Sequence, residues 1–287
     1  MIARLLCAAL IATAGPVSAE TFAISGGTVA LGDGSEPIQN GMVVIRDGRI
    51  VAAGDIRMKL PAGTRVIDAT GKWVTPGIVG GFSRLGLTEI ELGDDGSDDS
   101  GTKGPFSAAI DVAVSVNPLA STIAVNRADG VTRALVAPNA NNGIFAGHGA
   151  VIDTGADMNP ITAARRFQFV ELGEAGAENA GGSRSAAFAL FRNALREAGE
   201  LSRYDRTVAS GQRGQVDDPI ADPNESRLYR SDVQRSDDIL LTRFDAAALV
   251  PVLRGRQYLL VHVERSSDIL AVLGLKREFP ALKLVLV

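Results

Sequence analysis

The chain has 287 residues, of which 46% are hydrophobic and 22% are charged. These fractions are typical of a soluble globular protein with a sizeable core, and they exclude a wholly disordered chain. The formal net charge of -4 comes without a cluster of lysines and arginines among aromatic side chains. The sequence therefore gives no indication of nucleic-acid binding.

Residues 1–19 have the pattern of a secretory signal peptide. Arg4 supplies a positive charge, an apolar run follows, and small residues end at Ala19. The run is too short to span a bilayer, so we predict cleavage near Ala19 and a secreted or periplasmic protein with no membrane span. The alternatives are a buried helix and a lipid anchor on Cys7. Because Cys7 is the only cysteine, the mature chain would have no disulfide and no thiolate metal site.

Residues 20–72 have the pattern of β-structure. Three segments alternate apolar and polar side chains and are separated by turn residues: 21–31, 41–54 and 64–70. Asp47-Gly48 between two apolar runs indicates a β-hairpin. The sequence predicts a small antiparallel sheet or β-sandwich over this part of the chain.

Residues 73–287 alternate between strand and helix patterns. Strands are predicted at 74–82, 131–138, 167–173, 257–263 and 282–287, and helices at 119–130, 185–199, 244–253 and 267–279. This alternation favours a parallel sheet or barrel, but a closed eight-stranded barrel usually takes about 250 residues. We predict an α/β fold in which the sandwich is followed by an incomplete TIM-like (β/α) barrel, with an insertion near 174–240.

Several segments together are similar to the amidohydrolase superfamily, in particular its secreted imidazolonepropionase-like and cyclic-imidase-like branch. The similar segments are 41–54, 67–79, 131–139, 186–195 and 262–270. The resemblance covers most of the mature chain. It implies hydrolysis of carbon–nitrogen bonds in cyclic amides or imides, in which zinc or another divalent metal lowers the pKa of a bound water.

The metal ligands that the resemblance implies are mostly missing. Phe82 and Arg84 stand where the family has a His-x-His pair, and neither side chain coordinates a cation. The family's bridging ligand falls at Phe169, with Glu171 two residues later on the same strand face. His262 stands at the ligand position of the fifth strand. The ligands of the sixth and eighth strands would follow residue 287.

Other candidate sites give weaker signals. His148, the second of two histidines, lies in a glycine-containing segment that we expect to be a loop, with the ring solvated or bonded to backbone. The acidic segment 91–101 lacks the spacing of a calcium loop and predicts a solvated loop. The sequence has neither a nucleophile elbow nor a phosphate-binding loop.

Three functions therefore compete. The first is a hydrolase with an altered site, in which Glu171 and His262, with or without His148, hold one metal. The second is a non-catalytic relative that binds a small ligand or a partner and needs no cofactor, with the charge of Arg84 favouring an anion. The third is a remnant that needs a partner or a homo-oligomer to complete the barrel, because 282–287 would be an open edge. The changes at Phe82 and Arg84 favour lost or reduced activity.

Overall fold

The computed structural model describes residues 21–55, 57, 59–89, 97–101, 104–141, 143–209 and 240–287, without the side chains of 204–209. The predicted signal peptide and the polar segment 210–238 lie outside these residues. The chain divides into two units, Met1–Gly77 and Ile78–Val287, and each is described by itself. Within the described residues, no helix is long and apolar enough to cross a bilayer.

The first unit contains one five-stranded sheet. Its strands are β1 (Thr21–Val29), β2 (Ile38–Arg46), β3 (Arg49–Asp55), β4 (Arg65–Asp68) and β5 (Trp73–Val74). Their order is β3-β2-β1-β4, and β5 also pairs with β1. Ala23, Met42 and Val44 form its small core.

The hairpin at Asp47-Gly48 is confirmed, but the antiparallel sandwich is not. β2 and β3 are antiparallel, and both turn residues have the positive φ angles, 55° and 68°, that such a tight turn requires. β4 and β5, however, pair with β1 in parallel. The unit is therefore a single mixed sheet in its described part, and the prediction of an antiparallel sandwich is wrong.

The second unit contains a six-stranded sheet. Its strands are β6 (Ile78–Ser83), β7 (Val131–Val136), β8 (Phe145–Asp153), β9 (Ile161–Glu171), β10 (Tyr258–His262) and β11 (Lys283–Leu286). They lie side by side in chain order. β8 is antiparallel to both β7 and β9, while the other pairings are parallel. The prediction of an all-parallel sheet is corrected, since it overlooked β8.

The helices pack on one face of this sheet. They are α1 (Ser121–Ala128), α2 (Glu174–Asn179), α3 (Arg184–Ala209), α4 (Arg243–Leu253) and α5 (Ser266–Gly274). The predicted helix at 185–199 is confirmed and continues to Ala209. Its side chains Phe191 and Leu195 are fully buried against Leu249 of α4 and Leu259 of β10. We call this helix-covered side the outer face.

The opposite face is concave. Its buried side chains include Phe167 and Phe169 of β9 and Leu260 of β10. The ring of Phe82, on β6, lies 4.7 Å from the ring of Phe169 between centroids. β7 and β8 separate these two strands, which would be about 14 Å apart in a flat sheet, so the sheet curls. The fold is thus a sheet unit followed by a curled, incomplete barrel, as predicted at this coarser level.

Candidate functional site

Two aromatic rings fill the part of the concave face where the resemblance places the first metal ligands. Phe82 is the last residue but one of β6 and Phe169 lies near the end of β9, and their rings are tilted by 57° at a centroid distance of 4.7 Å. This is an ordinary packing geometry for aromatic pairs. Phe82 keeps 40% of its surface exposed. The pair offers a ligand apolar contact and no lone pair.

Arg84 is held by two groups that sequence reasoning missed. Its Nε lies 3.1 Å from Asp99 Oδ2, and its Nη2 donates to Asn139 Oδ1 at 2.9 Å. The backbone N–H of Asn139 also donates to the Asp99 carbonyl at 2.6 Å. Asp99 belongs to the acidic segment expected to be solvated, and its side chain is largely buried here. Because Asp99 neutralises Arg84, the suggestion that this guanidinium attracts an anion loses its support.

Glu171 and His262 are brought together at the ends of β9 and β10. They are register partners on neighbouring parallel strands, and His262 Nδ1 lies 2.8 Å from Glu171 Oε1. The same carboxylate oxygen accepts from the Gly173 N–H at 2.8 Å. Glu171 is buried, whereas 37% of the His262 side chain is exposed. Since a carboxylate holds Nδ1, Nε2 is the ring nitrogen left for other chemistry.

A second carboxylate lies beside this pair. Glu264 Oε2 accepts from Arg184 Nη2 at 2.9 Å and from the Glu174 N–H at 3.0 Å. A Cβ added to Gly173 would lie 2.9 Å from Glu171 Oε1 and 3.0 Å from Glu264 Cδ. A larger residue at 173 would therefore force the ends of these two flexible acidic side chains to move. Nothing in the sequence pattern signals this close approach.

The residues present do not fit the metal centre that the resemblance implies. Among the described residues, no group of three His, Cys, Asp or Glu side chains is arranged to hold a metal ion. Phe82 and Arg84 have no donor atom for a cation. Glu171 and His262 are suitable donors, but they are bonded to each other and two ligands are fewer than a zinc site uses.

His148 lies on the other side of the sheet, which corrects the prediction of a solvated loop residue. It is part of β8 and only 4% exposed. Phe145 pairs with Val170 but Gly147 pairs with Phe169, so a β-bulge shifts the alternation of side chains. His148 is then the partner of Gln168, on the outer face. It cannot share a metal with Glu171 and His262.

The His148 ring is uncharged at neutral pH. Burial lowers its pKa from 6.5 to about 4, with the positive charge of Arg165 adding to this effect and the negative charge of Asp111 opposing it. Its Nδ1 lies 2.8 Å from Gln257 Nε2, which also donates to the Arg165 carbonyl at 2.8 Å. The carbonyl contact fixes the amide as the donor, so His148 Nδ1 accepts and Nε2 carries the proton.

Comparisons with known proteins identify the fold. No protein-family model matches the chain, and no curated protein sequence does. An amidohydrolase from Thermotoga maritima MSB8 superposes with a TM-score of 0.73 at 19% identity. The match covers 92% of this chain and 63% of that one, so the chain spans less than two thirds of its neighbour. Molinate hydrolase is 40% identical over 25% of this chain and 15% of its own, with a TM-score of 0.23. The first match shows that the fold of this chain is amidohydrolase-like.

Proposed function

We propose that this chain is an amidohydrolase-like protein of the secreted imidazolonepropionase-like or cyclic-imidase-like branch whose metal-dependent hydrolysis is lost or strongly reduced. The observation that carries the proposal is the pair of contacts at the end of β6. Phe82 packs on Phe169, and Arg84 forms an ion pair with Asp99. Metal-assisted hydrolysis needs several imidazole or carboxylate donors aimed at one point, and these side chains supply none.

The retained role is binding of a small cyclic amide or imide at the concave face. The exposed part of the Phe82 ring gives a flat apolar contact, and His262 gives a polar one through Nε2. Apolar walls with a few polar groups that fix orientation are what small-molecule sites generally use. The signal peptide predicted from residues 1–19 supports a location in the cell envelope or outside the cell.

Metal content and turnover test this proposal together. The mature protein is purified without chelators, analysed for zinc, manganese and iron, and incubated with succinimide and hydantoin in the presence and absence of added zinc. We expect metal well below one ion per chain and no hydrolysis above the buffer control. Stoichiometric metal together with hydrolysis that is lost in His262→Ala, but kept in the surface control Arg277→Gln, would overturn the proposal.

A hydrolase with an altered site is the second candidate, and the Glu171–His262 contact favours it. A carboxylate that holds Nδ1 orients the ring and leaves Nε2 as the nitrogen that faces a substrate, as a general base requires. In this reading His262 takes a proton from the attacking water, and Glu171 positions the ring. Glu171→Gln would then slow hydrolysis of the same probes and shift its pH profile. The same rate in wild type, Glu171→Gln and His262→Ala would exclude this role.

The third candidate is completion of the curled sheet by a second copy or another protein. Apolar side chains are exposed at its β11 edge and on α5 beside it, among them Val285, Leu286, Leu270 and Leu273. Exposed strand edges of this kind promote pairing between chains. Light scattering on the purified protein measures the oligomeric state. A folded, monodisperse monomer would refute this candidate.

A further inference from the structure

His262 and Glu171 stand on the concave face of the second unit, beyond the aromatic pair. Leu260 and Phe169 are register partners on β10 and β9, and both are buried on that face. His262 and Glu171 are the next register partners that point the same way, since alternate residues of a strand share a face. Two residues of a strand span about 7 Å. The imidazole therefore lies one layer of side chains beyond the Phe169 ring, at the carboxyl ends of the strands.

The contacts of Glu171 fix which nitrogen of His262 carries a proton. Glu171 Oε1 lies 2.8 Å from His262 Nδ1 and accepts from the Gly173 N–H at 2.8 Å. An ionised carboxylate has only acceptor atoms, so the hydrogen in its contact with the imidazole belongs to Nδ1. In a neutral imidazole the other nitrogen then has a lone pair and no proton. Nε2 of His262 is therefore a hydrogen-bond acceptor.

This acceptor is accessible and its direction is fixed. The His262 side chain is 37% exposed. Nε2 has no hydrogen-bond partner among the described residues, and it is not one of their fully buried unpaired atoms. Glu171 is buried and holds the ring through Nδ1, so the lone pair of Nε2 points one way before a ligand arrives. A group that is oriented in advance loses less entropy when it binds.

The charges around this acceptor are mainly negative. Glu264 Oε2 and Asp268 Oδ2 share one cation, Arg184, at 2.9 and 3.0 Å. Glu171 adds a third carboxylate, because its Oε1 and Glu264 Oε1 lie 2.9 and 3.2 Å from the position that a Cβ on Gly173 would take. Like charges this close disfavour a further anion. A ligand that carries a carboxylate is therefore repelled, whereas a neutral N–H donor is not.

We propose that His262 Nε2 accepts a hydrogen bond from the ring N–H of an uncharged cyclic amide or imide. This inference rests on the binding role proposed above and adds the feature by which the site selects its ligand. A ring with a free N–H completes the bond, whereas an N-alkylated ring places a carbon against Nε2. A ring-opened product brings a carboxylate towards Glu171 and Glu264. The site therefore selects closed rings with an unsubstituted nitrogen.

Long-range proton–nitrogen NMR correlation of the imidazole rings tests the protonation pattern without a ligand. The sequence has two histidines, so the spectrum of the untagged mature protein contains two rings. At about pH 8, where a free imidazole is uncharged, we expect His262 to carry its proton on Nδ1 and His148 on Nε2. The signals that disappear in His262→Phe belong to His262. A proton on His262 Nε2 would overturn the proposal.

Isothermal titration with neutral probes of matched size tests the selectivity. Succinimide and 2-methylsuccinimide keep the ring N–H, whereas N-methylsuccinimide has the methyl group on nitrogen. We expect a Kd on the order of 1 mM for the first two. N-methylsuccinimide should bind about three- to tenfold more weakly, because it lacks one hydrogen bond. The ring-opened carboxylate succinamate should also bind more weakly than succinimide.

The possible outcomes separate this inference from the binding role on which it rests. Equal binding of N-methylsuccinimide and 2-methylsuccinimide would overturn the inference and leave the binding role intact. Succinamate that binds as tightly as succinimide would show that the carboxylates do not exclude an anion, and the proposed selection would be wrong. No saturable heat with succinimide would overturn both the inference and the binding role.

Two substitutions locate the hydrogen bond. His262→Phe keeps a flat ring without an acceptor, so it should bind 2-methylsuccinimide and N-methylsuccinimide equally. Arg277→Gln is the control, because Arg277 is an exposed residue of the 3-10 turn after α5, and it should keep the preference of the wild type. Circular dichroism checks the fold of His262→Phe, and the two methylated probes on the wild type carry the test if this variant does not fold. An unchanged preference in folded His262→Phe would overturn the proposal.

Discussion

His148 makes the stability of the second unit depend on pH, and this dependence tests the burial that the structure assigns to it. The ring is buried in β8, and burial lowers its pKa from 6.5 to about 4. The charged groups facing it are Asp111, which opposes the shift, and Arg165, which adds to it. Between these two pKa values the unfolded chain holds a proton on His148 that the folded chain does not. Stability is therefore complete above pH 6.5 and is lost as the pH falls towards 4.

The magnitude follows from linkage. Each tenfold change in a protonation equilibrium corresponds to about 1.4 kcal/mol. A pKa lowered from 6.5 to about 4 therefore removes about 3 kcal/mol from the free energy of unfolding as the pH falls from the first value to the second. Most of this loss, about 2 kcal/mol, falls between pH 7 and pH 5. His148 is almost fully buried, so solvent screening takes little from this value. A typical domain has a total stability of about 5–15 kcal/mol, so the effect is readily measured.

Urea denaturation followed by circular dichroism at several pH values between 7.5 and 4.5 measures this loss. His148→Asn is the matched variant, because the Asn Oδ1 replaces Nδ1 as acceptor for Gln257 but does not titrate. Carboxylates contribute equally to both proteins, so the difference between the two pH slopes isolates His148. Between pH 7 and pH 5 the free energy of unfolding of the wild type should fall by about 2 kcal/mol more than that of the variant. Parallel slopes would refute the buried, neutral state of His148.

Three other substitutions test individual features of the second unit. Gln168→Met should raise the free energy of unfolding in urea by about 1 kcal/mol, because both amide atoms are buried with no partner among the described residues; a lower value would mean that the amide is satisfied. Gly149→Ala should lower the free energy of unfolding in urea by about 3 kcal/mol, because a Cβ at this position would lie 2.1 Å from the Phe167 ring. Gly81→Ala is its control, because a Cβ there would have no other atom within 4 Å. Asp245→Ala should lower Tm by an amount equivalent to about 3 kcal/mol, because this buried carboxylate accepts two backbone N–H bonds at 2.9 and 2.8 Å; an unchanged Tm would contradict that role.

The parts of the fold that follow from local pattern were predictable. Asp47-Gly48 specifies a tight hairpin turn through backbone geometry alone. The helix around Phe191 and Leu195 is visible because its apolar residues recur at helical spacing. Strand direction is different, since β4 pairs in parallel with β1 through contacts that no local window contains. The sequence therefore predicted the elements that have a clear local pattern, and it did not predict how the strands pair.

Strand β8 was not predicted from the sequence, because its glycine-containing segment is typical of a loop. Gly147 and Gly149 stand on either side of His148, and both are required by close packing. A Cβ on Gly147 would lie 2.6 Å from the Ile110 carbonyl oxygen, and one on Gly149 would overlap the Phe167 ring. Glycine within a strand often marks a bulge or a close approach of this kind. The two glycines of β8 could therefore have indicated a bulged strand, but a turn has the same composition.

The absence of metal ligands at the candidate site could be predicted from the sequence, but the contacts made by the residues that stand in their place could not. Phe82 and Arg84 cannot bind a metal on chemical grounds alone, and no structure is needed for that conclusion. Arg84 pairs with the Asp99 carboxylate and donates to Asn139 through contacts between segments far apart in the chain. A charge that looks free in sequence is often paired in the fold, because buried charges are costly without a partner.

The two faces of the sheet around β9 differ in how well their buried side chains are satisfied. At the concave end, Phe169 packs against Phe82, which buries apolar surface and supplies no donor atom for a metal. On the outer face, Gln168 and Gln257 keep buried amide atoms unpaired, which costs about 1–3 kcal/mol for each atom that stays unsatisfied. A methionine of similar volume at position 168 would avoid that cost, because neither amide atom of Gln168 has a partner to lose among the described residues. Atoms buried this completely weaken the core and offer no contact to a ligand, because they have almost no accessible surface.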